Sequence, residues 1–191
     1  MTTTKDNAPP TTSKDADVRE AAVEDFGDNH GDQIIGRTVT INRPPAELYA
    51  FWRDFENLPA FMDNVDRIET LSPTRSHWVV KAPAGRTVEW NAVVTDEREG
   101  EFIAWASEKG ADVSNSGRIE FRDAGERGTV VTATIVYDPP AGVVGKVIAK
   151  LFQREPAVQA RRDLRRFKQL METGEIATAA SNTAQYVKEL N

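Results

Sequence analysis

Pro44-Pro-Ala-Glu-Leu-Tyr-Ala-Phe-Trp-Arg-Asp-Phe-Glu-Asn-Leu-Pro-Ala-Phe-Met62 is the stretch on which the reading of the fold turns. Before it the chain alternates at period two, within it the period becomes helical, and after Val65 it alternates again. The paired prolines end a strand and suit the first turn of a helix, where a backbone N–H has no intrahelical partner to lose. Leu48, Phe51, Trp52 and Phe55 then recur at three- and four-residue spacing, which makes one apolar face. Asn57 and Pro59 break this helix, and Ala60-Phe-Met62 continues as a second short turn.

Upstream, Arg37-Thr-Val-Thr-Ile-Asn42 reads as a first strand starting at Gly36, with Val39 and Ile41 on one face. Downstream, turn signals at Ser72–Arg75, Ala84-Gly85, Arg98–Gly100, Gly110–Ser116 and Gly125–Gly128 divide residues 65–137 into six antiparallel strands. Alternation puts Ile68, Trp78, Val80, Val88, Trp90, Ala92, Val94, Ile103, Trp105, Ile119, Phe121, Val131, Ala133, Ile135 and Tyr137 on one face. Their neighbours are mostly polar, for example Glu89, Asn91, Arg118, Glu120 and Thr132. One dry face and one wet face is the pattern of an antiparallel sheet covered on a single side. The cover is supplied by residues 142–172, a long helical stretch that Pro156 kinks or restarts and that Gly174 stops. The expectation is therefore an α+β chain. A seven-stranded curved antiparallel sheet wraps a long C-terminal helix, with two short helices after the first strand.

Residues 1–35 differ in character. Lys5, Lys14 and Arg19 stand there against eight acidic residues, so this arm holds most of the chain's net charge of −6. It is too poor in apolar residues to offset its ordering entropy and reads as a disordered acidic arm. The folded domain spans 36–174, and 175–191 reads as a mobile tail. The acidic balance argues against nucleic acid as a partner. The basic cluster Arg161, Arg162, Arg165, Arg166 and Lys168 reads as the solvated face of a helix. The chain has no cysteine, which excludes thiolate metal sites and suits a reducing cytoplasm. It has no signal-peptide pattern and no apolar run long enough to span a membrane. No pattern sets an oligomeric state.

The order strand, two short helices, six strands, long helix resembles the START-like (SRPBCC) superfamily, the helix-grip fold. Within it the chain is similar to the bacterial polyketide cyclase/dehydrase group, related to coenzyme-Q-binding START proteins. The residues that carry the likeness are Pro45–Met62, Ser76–Gly85, Val88–Trp90, Ile103–Ser107, Gly128-Thr129, Tyr137–Pro140, Lys150–Phe152 and Asp163–Leu170. The resemblance implies a deep cavity between sheet and C-terminal helix that holds an apolar or aromatic small molecule. It implies no shared catalytic set, because one such fold hosts many activities.

Chemistry-bearing residues are few. His30 lies in the acidic arm, and His77 falls on the outer face of a strand. No metal-ligand spacing and no phosphate-binding glycine motif occurs, so neither metal nor cofactor is expected. Tyr137 is the one titratable group on the inner face, and Glu89 could join it only through a register slip or bulge. These two are the candidates for acid and base in a cyclase or dehydratase reading. The leading reading is a carrier or sensor. Its candidate ligand-binding residues are Trp78, Val80, Trp90, Trp105, Ser107, Phe121, Tyr137, Val144, Ile148 and Leu151, lining a site for a lipid, isoprenoid quinone or aromatic polyketide. The apolar segment Val143–Phe152 at the cavity mouth can admit such a ligand, touch a membrane surface or pack a dimer. A third reading is a protein-interaction module whose core is filled.

Overall fold

The computed structural model describes residues 33–82, 85–111, 113–138 and 156–176. Seven strands form one antiparallel sheet in the order β1-β7-β6-β5-β4-β3-β2. They are β1 Gln33–Ile41, β2 Val65–Ser72, β3 Arg75–Ala82, β4 Arg86–Arg98, β5 Phe102–Ser107, β6 Ser114–Asp123 and β7 Thr129–Asp138. A first helix, Pro45–Arg53, and a 3-10 helix, Phe55–Ala60, follow β1, and a long helix, Pro156–Thr173, packs against β1. This is the sheet covered by a C-terminal helix that the periodicity implies, and the helix-grip arrangement that the resemblance implies. Strands β2 to β7 are consecutive hairpin neighbours, and β1 closes the order beside β7.

One detail departs from the sequence reading. β1 begins at Gln33, ahead of Gly36, because Gln33–Ile35 pair with Tyr137–Ile135 of β7. The long helix is described from Pro156. The expected earlier part of that helix, 142–155, lies outside the described residues. At the other end Gly174 has φ +77° and donates its N–H to the Leu170 carbonyl at 2.8 Å, which terminates the helix.

The sheet bends where its register slips. β4 skips Thr95 between the pairs Val94–Trp105 and Asp96–Ala104, and β2 slips near each end. At Gly117 the pairing brings Trp105 directly opposite, and a methyl group added there would overlap the Trp105 ring and approach the Thr134 carbonyl to 2.7 Å. The missing side chain lets the Trp105 indole lie flat across β6.

The concave face carries two aromatic groups. One is a packed core, in which Trp52 meets Phe61 at 5.3 Å, Phe167 at 5.0 Å and Phe121 at 6.5 Å between ring centroids. Phe61 and Phe167 are fully buried. The other group is Phe55, Trp78, Trp90 and Trp105, of which the three tryptophans are only partly buried. The helix is fixed over β1 by Lys168, whose Nζ donates to the Thr40 carbonyl at 2.7 Å and to Glu172 Oε1 at 2.6 Å. The Asn42 N–H donates to the same Glu172 oxygen at 2.7 Å.

Candidate functional site

The space between the sheet and the long helix is a cavity of about 450 Å³. Its sheet wall comes from alternate residues: Ser76, Trp78 and Val80 of β3, Trp90, Ala92 and Val94 of β4, Trp105 of β5, and Ala133 and Ile135 of β7. Trp52, Phe55 and Leu58 close one side, while Gln159, Ala160, Asp163 and Leu164 line it from the helix. Trp78 and Trp90 are cross-strand partners whose rings lie nearly parallel, 8° apart with centroids at 6.2 Å. The Trp78 Nε1–H donates to Ser76 Oγ at 2.9 Å. With that polar atom satisfied, the indole can present its face to an apolar guest.

The expected site residues separate in three dimensions. Trp78, Val80, Trp90 and Trp105 line the cavity. Phe121 does not: it is 4% exposed and lies edge-on to Tyr49 at 6.0 Å, inside the packed core. Strand parity told which face it occupies but not how far down that face the core is filled. Ser107 sits at the end of β5 and spends its Oγ accepting the Asn115 N–H at 3.0 Å; Asn115 itself lines the cavity. Glu89 is turned outward opposite Val79, half-exposed, with Oε2 3.5 Å from His77 Nε2, so no register slip brings it inside. His77 is on the same outer face, its Nδ1 2.9 Å from Asn91 Oδ1. For Tyr137 the backbone is placed, paired with Gln33 and Asn115. Val144, Ile148 and Leu151 lie outside the described residues.

Tyr137 is not the sole titratable candidate for this cavity, because Asp163 enters it from the helix. Asp163 is 9% exposed, and its Oδ1 accepts a hydrogen bond from Gln159 Nε2 at 2.8 Å. Loss of water raises its pKa from the ordinary carboxylate range to about 7. The Gln159 hydrogen bond works against that shift and the neighbouring Asp63 charge works with it, while Arg166 and Arg162 lower it. Arg166 is an ion-pair partner of Asp63. Asn64 Oδ1 is 3.4 Å from Gln159 Nε2, and Lys81 donates from Nζ to the Asp63 carbonyl at 3.1 Å. Asn64, Lys81, Gln159 and Asp163 therefore give a mostly apolar cavity one polar end, and Ser76 and Asn115 also belong to its lining.

Asp163 was missed because it stands in Arg161-Arg-Asp-Leu-Arg-Arg166, a run that reads as a solvated face. The available signal was spacing. Ala160, Leu164 and Phe167 form the buried stripe of this helix, and Asp163 falls within it. Of the basic cluster, Arg161, Arg162 and Arg165 are exposed, as a solvated face requires.

Residues 41–165 match the family model described as polyketide cyclase / dehydrase and lipid transport. The chain belongs to this family. Its fold is similar to that of a START superfamily protein from Mycobacterium smegmatis, which is 16% identical, covers 69% of this chain and 98% of its own, and has a TM-score of 0.50; this likeness concerns the fold alone. A protein of Streptomyces lincolnensis, described as an uncharacterized 17.2 kDa protein in the melC2-rnhH intergenic region, is 30% identical over 139 residues, covering 72% of this chain and 89% of the relative. A crystal structure from Deinococcus radiodurans is 40% identical, covers 75% of this chain and 100% of its own, and superposes with a TM-score of 0.61. The Zhui aromatase/cyclase of Streptomyces sp. R1128 is 14% identical, covers 76% and 99%, and has a TM-score of 0.59; this likeness concerns the fold alone. Among the described residues no cluster of histidine and carboxylate side chains could hold a metal ion, and no helix is long and apolar enough to cross a membrane.

Proposed function

We propose that this polyketide cyclase/dehydrase-family domain is a carrier or sensor that binds a hydrophobic or aromatic small molecule, such as a lipid, an isoprenoid quinone or a polyketide-like compound. The observation that carries the reading is the cavity, whose volume of about 450 Å³ falls within the roughly 300–1,000 Å³ typical of small-molecule sites. Its walls are tryptophan faces and aliphatic side chains, so burial of apolar ligand surface supplies the affinity. The proposed ligand-binding set is Trp78, Val80, Trp90 and Trp105, with Asp163, Gln159 and Asn64 at the polar end. A chain without cysteine suits a reducing compartment, and on that ground we place the protein in the cytoplasm.

Native mass spectrometry of protein purified gently from its own host, followed by organic extraction, tests this. A stoichiometric apolar compound released intact is the expected result. A bare chain that also fails to take up Nile red, a neutral apolar dye, overturns the reading.

A second reading has one specific observation in its favour. Asp163 is a carboxyl in the cavity with a pKa near neutrality, which is where a general acid or base works best. In a cyclase or dehydratase it would be the group that moves a proton to or from the bound ketone. Turnover of a poly-β-keto thioester that disappears in Asp163→Asn, with binding retained, would favour the enzyme over the carrier.

A further inference from the structure

The polar end of the cavity has a lopsided chemistry. Among the described residues that line the cavity, only Asp163 and Lys81 are ionisable. The Lys81 ammonium points to the Asp63 carbonyl and its side chain is exposed, so its charge is shared with water. Asp163 is the buried one. Gln159 Nε2 donates to its Oδ1 at 2.8 Å. The groups that act on this carboxyl are Asp63 from the turn before β2 and Gln159, Arg162 and Arg166 from the helix; Asn64 reaches it only through Gln159, and Lys81 of β3 is turned to the Asp63 carbonyl. Arg166 is engaged with Asp63, and Arg162 is exposed. Among the described residues no cation is ion-paired with Asp163, and Arg166 and Arg162 act on it only as nearby charges.

We propose that Asp163 is a specificity determinant that selects ligands by charge: it admits amphiphiles whose polar end is a neutral oxygen, and turns away those ending in a carboxylate. The proposal rests on the binding reading above and deepens it. Two carboxyl groups brought within hydrogen-bond distance in a dry site cannot both be ionised. A fatty-acid-like ligand would have to carry an extra proton into the cavity or force one onto Asp163, and either lowers its affinity at neutral pH. A ketone, quinone or ester carbonyl meets no such opposition while Asp163 holds its proton, because the carboxyl O–H then donates to the carbonyl. A hydroxyl can donate to the ionised form or accept from the protonated one. The raised pKa of Asp163 supports this, since it puts the change of form within reach of ordinary buffers.

Displacement of Nile red from the full chain by 2-undecanone, 1-undecanol and undecanoate tests the proposal. These probes share a chain length and differ in their polar end. At about pH 8 the wild type is expected to bind undecanol at least ~10-fold more tightly than undecanoate. Asp163→Asn keeps the shape and removes the charge, and is expected to raise the affinity for undecanoate relative to undecanol by ~10-fold. In the wild type, undecanone should weaken as pH rises from about 6 to about 8.5 while undecanol stays level. That series needs no variant and carries the test if Asp163→Asn does not fold. A variant with an unchanged ratio of undecanol to undecanoate overturns the proposal, as does a wild type that accepts undecanoate equally well or shows the same pH profile for ketone and alcohol. Failure of Nile red itself to bind overturns the binding reading instead, which separates the two failures.

Discussion

Asp163 couples a stability effect to the site it serves. In the unfolded chain its carboxyl titrates near the ordinary value of 3.8, and in the folded chain near 7, chiefly through desolvation. A pKa raised by folding means that the native state holds the proton more tightly. The stabilisation is full below about pH 4 and is lost as pH rises through about 7. A shift of this size corresponds to ~4 kcal/mol at alkaline pH. Asp163→Asn has nothing to ionise. Urea titrations should find it more stable than wild type at pH 8 by that amount, with the difference vanishing near pH 4. Equal midpoints at both pH values would mean that Asp163 is already solvated in the folded protein.

At the scale of elements, the grip of the helix depends on its last turns. Lys168 and Glu172 are one turn apart, and together they satisfy the Thr40 carbonyl and the Asn42 N–H at the end of β1. Arg43 adds a hydrogen bond from Nη2 to the Glu172 carbonyl at 3.2 Å. Desolvation pushes the Glu172 pKa up, but the hydrogen bonds from Asn42 and Lys168 outweigh it and the net effect is downward. A lowered folded pKa gives stability that is present above about 4.5 and fades as pH falls through the folded value. Glu172→Ala is expected to cost about 1–2 kcal/mol at pH 7. Denaturant midpoints should show that penalty shrinking towards pH 3, because the wild-type carboxyl is then protonated too. A penalty that is the same at both pH values would assign the effect to packing rather than to the ion pair.

For the whole molecule, the sheet and the helix enclose more space than their own side chains fill. The packed half, around Trp52, Phe61 and Phe167, is closed. The half around Trp78, Trp90 and Trp105 forms the cavity, and an unfilled apolar wall forgoes dispersion contacts that a guest restores. A ligand that binds only the folded state at 100 times its Kd should add ~2.7 kcal/mol to the unfolding free energy, which is a rise in Tm of roughly 5–10 °C for a domain of this size. Thermal melts followed by tryptophan fluorescence, with 1-undecanol as the added compound, would measure it. An unchanged Tm at concentrations that displace Nile red would place the dye elsewhere on the surface.

The sequence by itself determined the strands, their faces and the order of elements. Those features are local. A period of two forces Trp78, Trp90 and Trp105 to one side of a pleated sheet, and the prolines and glycines between them leave few other ways to connect the strands. Such reasoning could not separate Phe121 from Trp105, which have the same parity. Their difference is set by how far Trp52 and Phe167 reach across the concave face, and that follows from how the helices dock. Nor could it find Asp163, whose charged neighbours made its turn of helix look wet. Only the tertiary structure decided that this carboxyl faces a dry cavity, because burial depends on what lies opposite a residue and not on what lies beside it in the chain.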